Sequence, residues 1–352
     1  MNSSVLNFSL LALTLTLMSF DTLMADIDDS KISHIEYPDW FKISSFFDLE
    51  EDLDQARLSG KQGLMVLFTT EGCSYCDLFF RECLGNPDIA SIVHDNFVTL
   101  GAEIFDDTDM TDPRGVSMSI KEFSKKEGVE FSPTLLFFNL DAERILRVVG
   151  YQSPERFQAI LTYVTGMHDQ NESLVNYCAR LSENVSRRPS VYKLKEDSLF
   201  EKPPYALDRS HFPANQPLLV IFEKPGCVEC EEFHDSVLSL KEVRSILKEF
   251  EIVRLDATDD KTVILAPNGN RLTPKAWFNQ AEYTRTPALL FFDEKGNVVL
   301  KTDALVLRQR MMNSLYYVLE RAYEKGWTYQ QLARSKAIKR RHSNQKKNND
   351  QM

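Results

Sequence analysis

Two short cysteine pairs carry the most readable chemistry in this chain: Cys73-Ser74-Tyr75-Cys76 and Cys227-Val228-Glu229-Cys230. Where such a pair opens a helix, one turn brings the two sulfurs within bonding reach. The first sulfur then faces backbone N–H groups and the positive end of the helix dipole, which favours its thiolate over the reference pKa of about 8.5. Cys73 and Cys227 are the expected nucleophiles; each attacks a disulfide, and Cys76 or Cys230 resolves the mixed disulfide. A zinc site is one competing use of four cysteines, but the pairs lie 154 residues apart and no histidine follows at ligand spacing. A static disulfide is another, and a ring closed over two intervening residues restricts the unfolded chain very little. Reversible redox chemistry is the stronger reading of both pairs.

A proline follows each pair at a fixed distance, 60 residues after the first cysteine, in Ser132-Pro133-Thr134 and Thr286-Pro287-Ala288. Proline is the one residue whose cis form is cheap, about 0.5–1 kcal/mol, so a buried cis turn and a trans proline opening an edge strand both fit here. These coincidences belong to a repeat that organises the chain. At an offset of 154 residues Cys73 falls on Cys227, Pro133 on Pro287, Phe137-Phe138 on Phe291-Phe292 and Leu64 to Phe68 on Leu218 to Phe222. Tyr163-Val164 and Ala179-Arg180 recur as Tyr317-Val318 and Ala333-Arg334. In between the register slips by one, with Phe97 nearest Phe250. So long a period is a whole domain, not a solenoid unit of about 20 to 50 residues.

Each copy has to position its cysteines with the same elements. Leu64 to Phe68 and Leu218 to Phe222 are continuous apolar runs suited to a strand buried on both faces. A Gly-Cys turn and a helix follow, Asp77 to Cys83 and Glu231 to Leu238, then a strand at Phe97 to Glu103 and Ile252 to Asp256, and a helix at Ile120 to Glu127 and Lys275 to Tyr283. A hairpin pairs Thr134–Asn139 with Ile145–Val149, and Ala288–Asp293 with Val298–Lys301. A closing helix runs from Pro154 to Gly166 and from Leu307 to Lys325, and Asp48 to Ser59 reads as an acidic amphipathic helix before the first copy. Helices interleaved with a mixed sheet make each half an α/β fold. The expected organisation is a leader at 1–25, a first domain at 40–181, a Pro- and charge-rich linker at 182–217 that partly packs on the second domain, a second domain at 218–335 and a basic, disordered tail at 336–352.

Strand, Cys-x-x-Cys at a helix start, later helix, then Ser- or Thr-Pro before an apolar hairpin strand: this order, over nearly all of residues 46 to 335, resembles the thioredoxin superfamily. The resemblance implies two tandem thioredoxin-like domains in a thiol–disulfide oxidoreductase without a bound cofactor. It also implies that Pro133 and Pro287 are cis and lie against the cysteines, and that Ser132 and Thr286 offer backbone hydrogen bonds to an extended substrate peptide. Within the superfamily the chain is most similar to the periplasmic SoxW-like thioredoxins of bacterial sulfur oxidation, through Leu53 to Lys61, Glu71 to Cys76, the acidic loop Asp106 to Gly115 and Val149-Gly150-Tyr151. Two features depart from cytosolic thioredoxin. Its buried Asp six positions before the first cysteine is replaced by Leu67 and Ile221, with Glu71 and Glu223 nearby in sequence and expected to be solvated. The dipeptides differ as well. Glu229 between the sulfurs disfavours a thiolate, so the second centre is expected to be the more reducing, consistent with an internal relay.

The remaining composition bounds the partners. Hydrophobic residues make up 43% and charged residues 26% of 352, enough for two filled cores. A net charge of −11 excludes nucleic acid as a general partner, because phosphate binding needs a basic surface. The apolar run Val5 to Phe20, with Ala25 before Asp26, is expected to be a signal peptide that sends the chain to an oxidising compartment, the bacterial periplasm; left uncleaved it would be a membrane anchor. The partners are then protein or small-molecule disulfides and thiols, with an upstream electron donor. The alternative function is a client-binding or chaperone module whose cysteines are secondary. Cys83 and Cys178 lack equivalents in the second copy and read as buried hydrophobes rather than a third disulfide. The acidic loop with Asp106, Asp107, Asp109 and Asp112 lacks the calcium-binding pattern, and His94 and His234 read as surface or helix residues, so no metal is expected.

Overall fold

The computed structural model describes residues 28–43, 46–184 and 196–349. The leader expected at 1–25, and residues 185–195 of the expected linker, lie outside the described residues. In the first half β1 (Ile32–Ser33) and β2 (Phe47–Asp48) precede α1 (Leu49–Leu58), β3 (Gly63–Thr69), β4 (Gly72–Cys73), α2 (Ser74–Phe79), α3 (Pro87–Asn96) and β5 (Phe97–Glu103). There follow β6 (Asp109–Thr111), β7 (Ser117–Ser119), α4 (Ile120–Lys126), the hairpin β8 (Thr134–Asn139) and β9 (Arg144–Val149), α5 (Pro154–Thr165) and α6 (Leu174–Asn184). The second half gives β10 (Leu218–Glu223), α7 (Val228–Phe233), α8 (Lys241–Leu247), β11 (Glu251–Asp256), β12 (Ile264–Leu265) and β13 (Arg271–Leu272). It ends with α9 (Pro274–Gln280), β14 (Ala288–Phe292), β15 (Val298–Thr302), α10 (Arg308–Leu319) and α11 (Tyr329–Asn349).

The two sheets share one topology, β5-β3-β8-β9 and β11-β10-β14-β15, with the first pair parallel and the others antiparallel. The repeat holds in register: Val66 faces Leu136, and Val220 faces Leu290. Side chains alternate along a strand, which explains the continuous apolar runs. Met65 and Leu67 enter one core of the first half while Leu64, Val66 and Phe68 enter the core on the opposite face. In β10, Leu219 and Ile221 go one way and Leu218, Val220 and Phe222 the other.

Helix starts are set by local chemistry. Asp48 caps α1, Ser119 and Glu122 form a reciprocal capping box on α4, and Ser153 and Thr273 cap α5 and α9 with proline in the first turn; each such cap is worth about 1 kcal/mol. Helices α3, α6, α8 and α11 go beyond those expected from the pattern. Of these, α3 is marked by Asn86 as cap and Pro87 behind it.

The basic tail departs from expectation. Residues 336 onward continue α11 as far as Asn349 instead of leaving it as a disordered end. No Pro or Gly interrupts the run after Gly326, and Lys336 pins it by pairing with Glu320 and lying 4.1 Å from the centre of the Tyr316 ring. The described part of the linker packs on the second domain, with Arg244 bonding Asp197 at 2.8 Å, Leu207 buried, and Arg209 donating to the Asp293 carbonyl at 2.7 Å.

The halves also share core. Phe131 of the first domain packs in the second domain's core, its ring 4.3 Å from that of Tyr329, while Leu305 and Leu307 pack on the core of the first. Gly150 and Ala304, equivalent positions of the repeat, meet between them: Gly150 adopts φ +78°, and a Cβ there would stand 2.5 Å from that of Ala304. Contact between equivalent residues is what an approximate two-fold relation produces.

Candidate active site

Each cysteine pair sits where its strand hands over to its helix. Gly72 and Gly226 take φ of +78° and +74°, a turn that side chains disfavour, and this delivers Cys73 and Cys227 to the caps of α2 and α7. Each capping sulfur accepts the backbone N–H three residues on, Cys76 or Cys230, at 3.1 Å. Both pairs are disulfide-bonded, with Cα atoms 5.2 Å apart. The helices therefore begin at Ser74 and Val228, one turn earlier than the polarity pattern suggests.

The hydroxyl-proline turns arrive from the other side. Ser132-Pro133 and Thr286-Pro287 are both cis. Ser132 Oγ donates to Cys73 Sγ at 3.4 Å, and Thr286 Oγ1 lies 3.3 Å from Cys227 Sγ. All eight residues expected at the sites thus fall into two clusters of four, one per domain. Cys76 and Cys230 are wholly buried; Cys73 is half-buried, whereas Cys227 is only 2% exposed.

The thioredoxin-like domain family matches residues 49–165 and again 212–318, together more than half of the chain. The chain belongs to the thioredoxin-like family. Among solved structures, a thioredoxin-fold protein from Helicobacter pylori is 20% identical over 41% of this chain and 89% of its own, with a TM-score of 0.33. A thioredoxin from Thermus thermophilus is 21% identical over 41% and 96%, with a TM-score of 0.27. The C-terminal domain of DsbD from Neisseria meningitidis is 14% identical over 30% and 83%, with a TM-score of 0.23. No curated protein matches the chain. With a Cys-x-x-Cys pair in both domains, this thioredoxin-like protein is a thiol–disulfide oxidoreductase that acts on thiols and disulfides.

The two thioredoxin-like centres differ most behind the cysteines. Leu67 and Ile221 are fully buried, so neither centre has an acid six positions before its first cysteine. Glu71 is exposed and pairs with Arg334. Glu223, expected to be solvated, is instead wholly buried, its Oε1 2.6 Å from His234 Nε2. A buried carboxylate needs a partner, and His234, expected as a surface or helix residue, is a helix residue buried beside it. His234 follows Cys230 by four residues and so shares its helix face. The equivalent positions in the first domain are Thr69 and Phe80. Thr69 Oγ1 bonds the Tyr37 hydroxyl at 2.7 Å, and Phe80 meets the Tyr37 ring edge-on at 5.0 Å; burial pushes Tyr37 up to about 12. An acid at a strand end with a histidine four residues past the second cysteine is a signal the sequence does carry.

Beside the second centre, Arg285 precedes Thr286-Pro287 and is partly buried. Its Nε donates to the Asp303 carbonyl, its Nη2 has no hydrogen-bond partner, and burial, with Arg156 close by, brings it down to about 10. The other two cysteines are free thiols: Cys83 is buried and donates to the Gln152 carbonyl at 3.2 Å, and burial pushes both Cys83 and Cys178 up. Asp112 turns inward from the acidic loop, bonding Lys126 at 2.7 Å and two backbone N–H groups. Among the described residues no cluster of His, Cys, Asp or Glu has the makings of a metal site, and no helix is long and apolar enough to cross a membrane.

Proposed function

We propose that this is an exported, periplasmic oxidoreductase whose two centres, Cys73/Cys76 and Cys227/Cys230, differ in potential and pass electrons in series between a donor dithiol and client disulfides. The observation that carries it is the duplicated cluster: a cysteine pair at a helix start with a hydroxyl-proline turn 3.3–3.4 Å from its first sulfur. In reduction, the Cys73 or Cys227 thiolate attacks the client disulfide, forming a mixed disulfide and releasing one client thiolate. Cys76 or Cys230, on losing its proton, attacks that mixed disulfide, releasing the second client thiol and leaving the protein disulfide. Two electrons move, and a donor dithiol restores the pair. Ser132, Pro133, Thr286 and Pro287 hold the client beside the sulfur. In the second domain the Glu223–His234 pair supplies the proton acceptor for Cys230, while Cys76 relies on water.

The compartment rests on the apolar run Val5 to Phe20, and a client pool in sulfur-compound oxidation rests on the resemblance of Glu71 to Cys76 and Val149 to Tyr151 to the SoxW-like group. Trapping with Cys76→Ala and Cys230→Ala tests the reading: mixed disulfides with periplasmic proteins or thiols are expected. Client binding that persists in both Cys73→Ser and Cys227→Ser, with turnover negligible in the wild type as well, would favour the client-binding alternative.

A further inference from the structure

We propose that Arg310, carried by the second domain, sets the substrate class of the first centre: with the domains docked, Cys73 serves small disulfides and thiols, and an extended polypeptide reaches it only when the domains part. The inference rests on the oxidoreductase reading above.

The dipeptide between Cys73 and Cys76 is where the second domain grips. Tyr75 is 5% exposed, and its hydroxyl donates to Asp29 at 2.8 Å while accepting the Leu307 N–H at 3.2 Å. Leu307 has no side chain able to cap α10. Asp29 caps it from far along the chain, accepting the N–H groups of Gln309 at 3.0 Å and Arg310 at 2.9 Å. One carboxylate therefore ties the N-terminal segment, the first cysteine turn and the second domain's helix together. The Arg310 guanidinium lies 3.6 Å from the centre of the Tyr75 ring and donates through Nη2 to the Ser132 carbonyl at 2.8 Å. Gln330, also from the second domain, donates to Ser132 Oγ at 3.3 Å.

An extended client binds mainly through its backbone, by adding to exposed N–H and C=O groups. Next to Cys73 those groups are taken. The Ser132 carbonyl holds Arg310, and β1 pairs antiparallel with β4, Ile32 opposite Cys73 and Ser33 opposite Gly72. A client must evict a buried guanidinium from its acceptor, which is costly. A small disulfide needs only the half-buried sulfur of Cys73. The repeat makes the arrangement reciprocal but unequal. Arg156, the equivalent of Arg310, crosses to the second domain and bonds the Thr284 carbonyl at 3.1 Å, two residues short of Thr286. There the sulfur itself, Cys227, is covered.

The test uses the full-length chain carrying Cys227→Ser and Cys230→Ser, so that only the first centre turns over. Rates are measured with a protein disulfide, insulin, and with a small aromatic disulfide, and their ratio is compared across Arg310, Arg310→Lys and Arg310→Ala. The ratio should rise by about tenfold in Arg310→Ala and less in Arg310→Lys, which keeps the charge but loses the planar fork. An unchanged ratio in a variant that still melts cooperatively overturns the proposal, as does an equal change in both rates. Should Arg310→Ala not fold, Gln330→Ala is read the same way: a rise of about two- to threefold supports the proposal, and no rise overturns it. Absence of turnover with the small disulfide before Arg310 is touched would instead fail the oxidoreductase reading beneath it.

Discussion

The two cysteine centres share a strand, a turn, a helix cap and a cis proline, yet their surroundings have diverged. The first is backed by neutral groups, Tyr37, Thr69 and Phe80, and is covered from outside by Asp29 and the second domain's Arg310. The second is backed by the buried pair Glu223 and His234, has an exposed Val228-Glu229 dipeptide, and keeps Cys227 nearly inaccessible. Duplication thus preserved what makes a dithiol work and varied what decides its potential, its proton traffic and its access. This is the pattern expected if two copies of one device are to do different jobs.

Several substitutions press on that contrast. The largest effect should come from His234→Leu, which takes a partner from the buried Glu223 and should cost the second domain about 3 kcal/mol in urea denaturation. The equivalent change in the first domain, Phe80→Leu, should cost about 1.5 kcal/mol or less. Equal costs would erase the difference drawn between the two backings. Next, Asp29→Ala removes the cap of α10 and the acceptor of the Tyr75 hydroxyl, and should lower stability by about 1–2 kcal/mol, seen as a lower melting temperature; no change would mean that the N-terminal segment does not secure the first centre. Glu229→Gln should raise the second centre's reduction potential by about 10 mV, a small shift because the side chain is exposed and screened, whereas a fall would reverse the charge argument.

The smallest effect concerns pH. The Arg244 guanidinium holds Asp197 down to about 2, below its unfolded value of about 3.9. Its stabilising contribution is therefore full above about pH 4 and fades as pH falls toward 2. Asp197→Asn should flatten the fall in melting temperature across that window, and an unaltered slope would show that the linker anchor plays no part in acid sensitivity.

Much of this could be read in the chain itself. The 154-residue register, the cysteine pairs and the apolar runs Leu64–Phe68 and Leu218–Phe222 are local or repeated patterns, and the central strands, hairpins and site clusters follow from them. Helix α8 was missed because Leu240, at its start, offers no capping side chain. The basic run among Asn and Gln reads as a disordered end, although charged residues without Gly or Pro make sound helices. Glu223 reads as solvated because most glutamates are, whereas it is buried and paired with a histidine eleven residues on. The clasp over Tyr75 joins residues up to 281 positions apart and leaves no periodic trace.

The most direct test of two working but unequal centres is a redox titration of the full-length protein across a series of thiol buffers, with each cysteine pair quantified separately by differential alkylation and peptide mass analysis. Two reversible midpoints are expected, that of Cys227/Cys230 lying at the more negative potential. A pair that never opens, or a second midpoint at or above the first, would contradict the account.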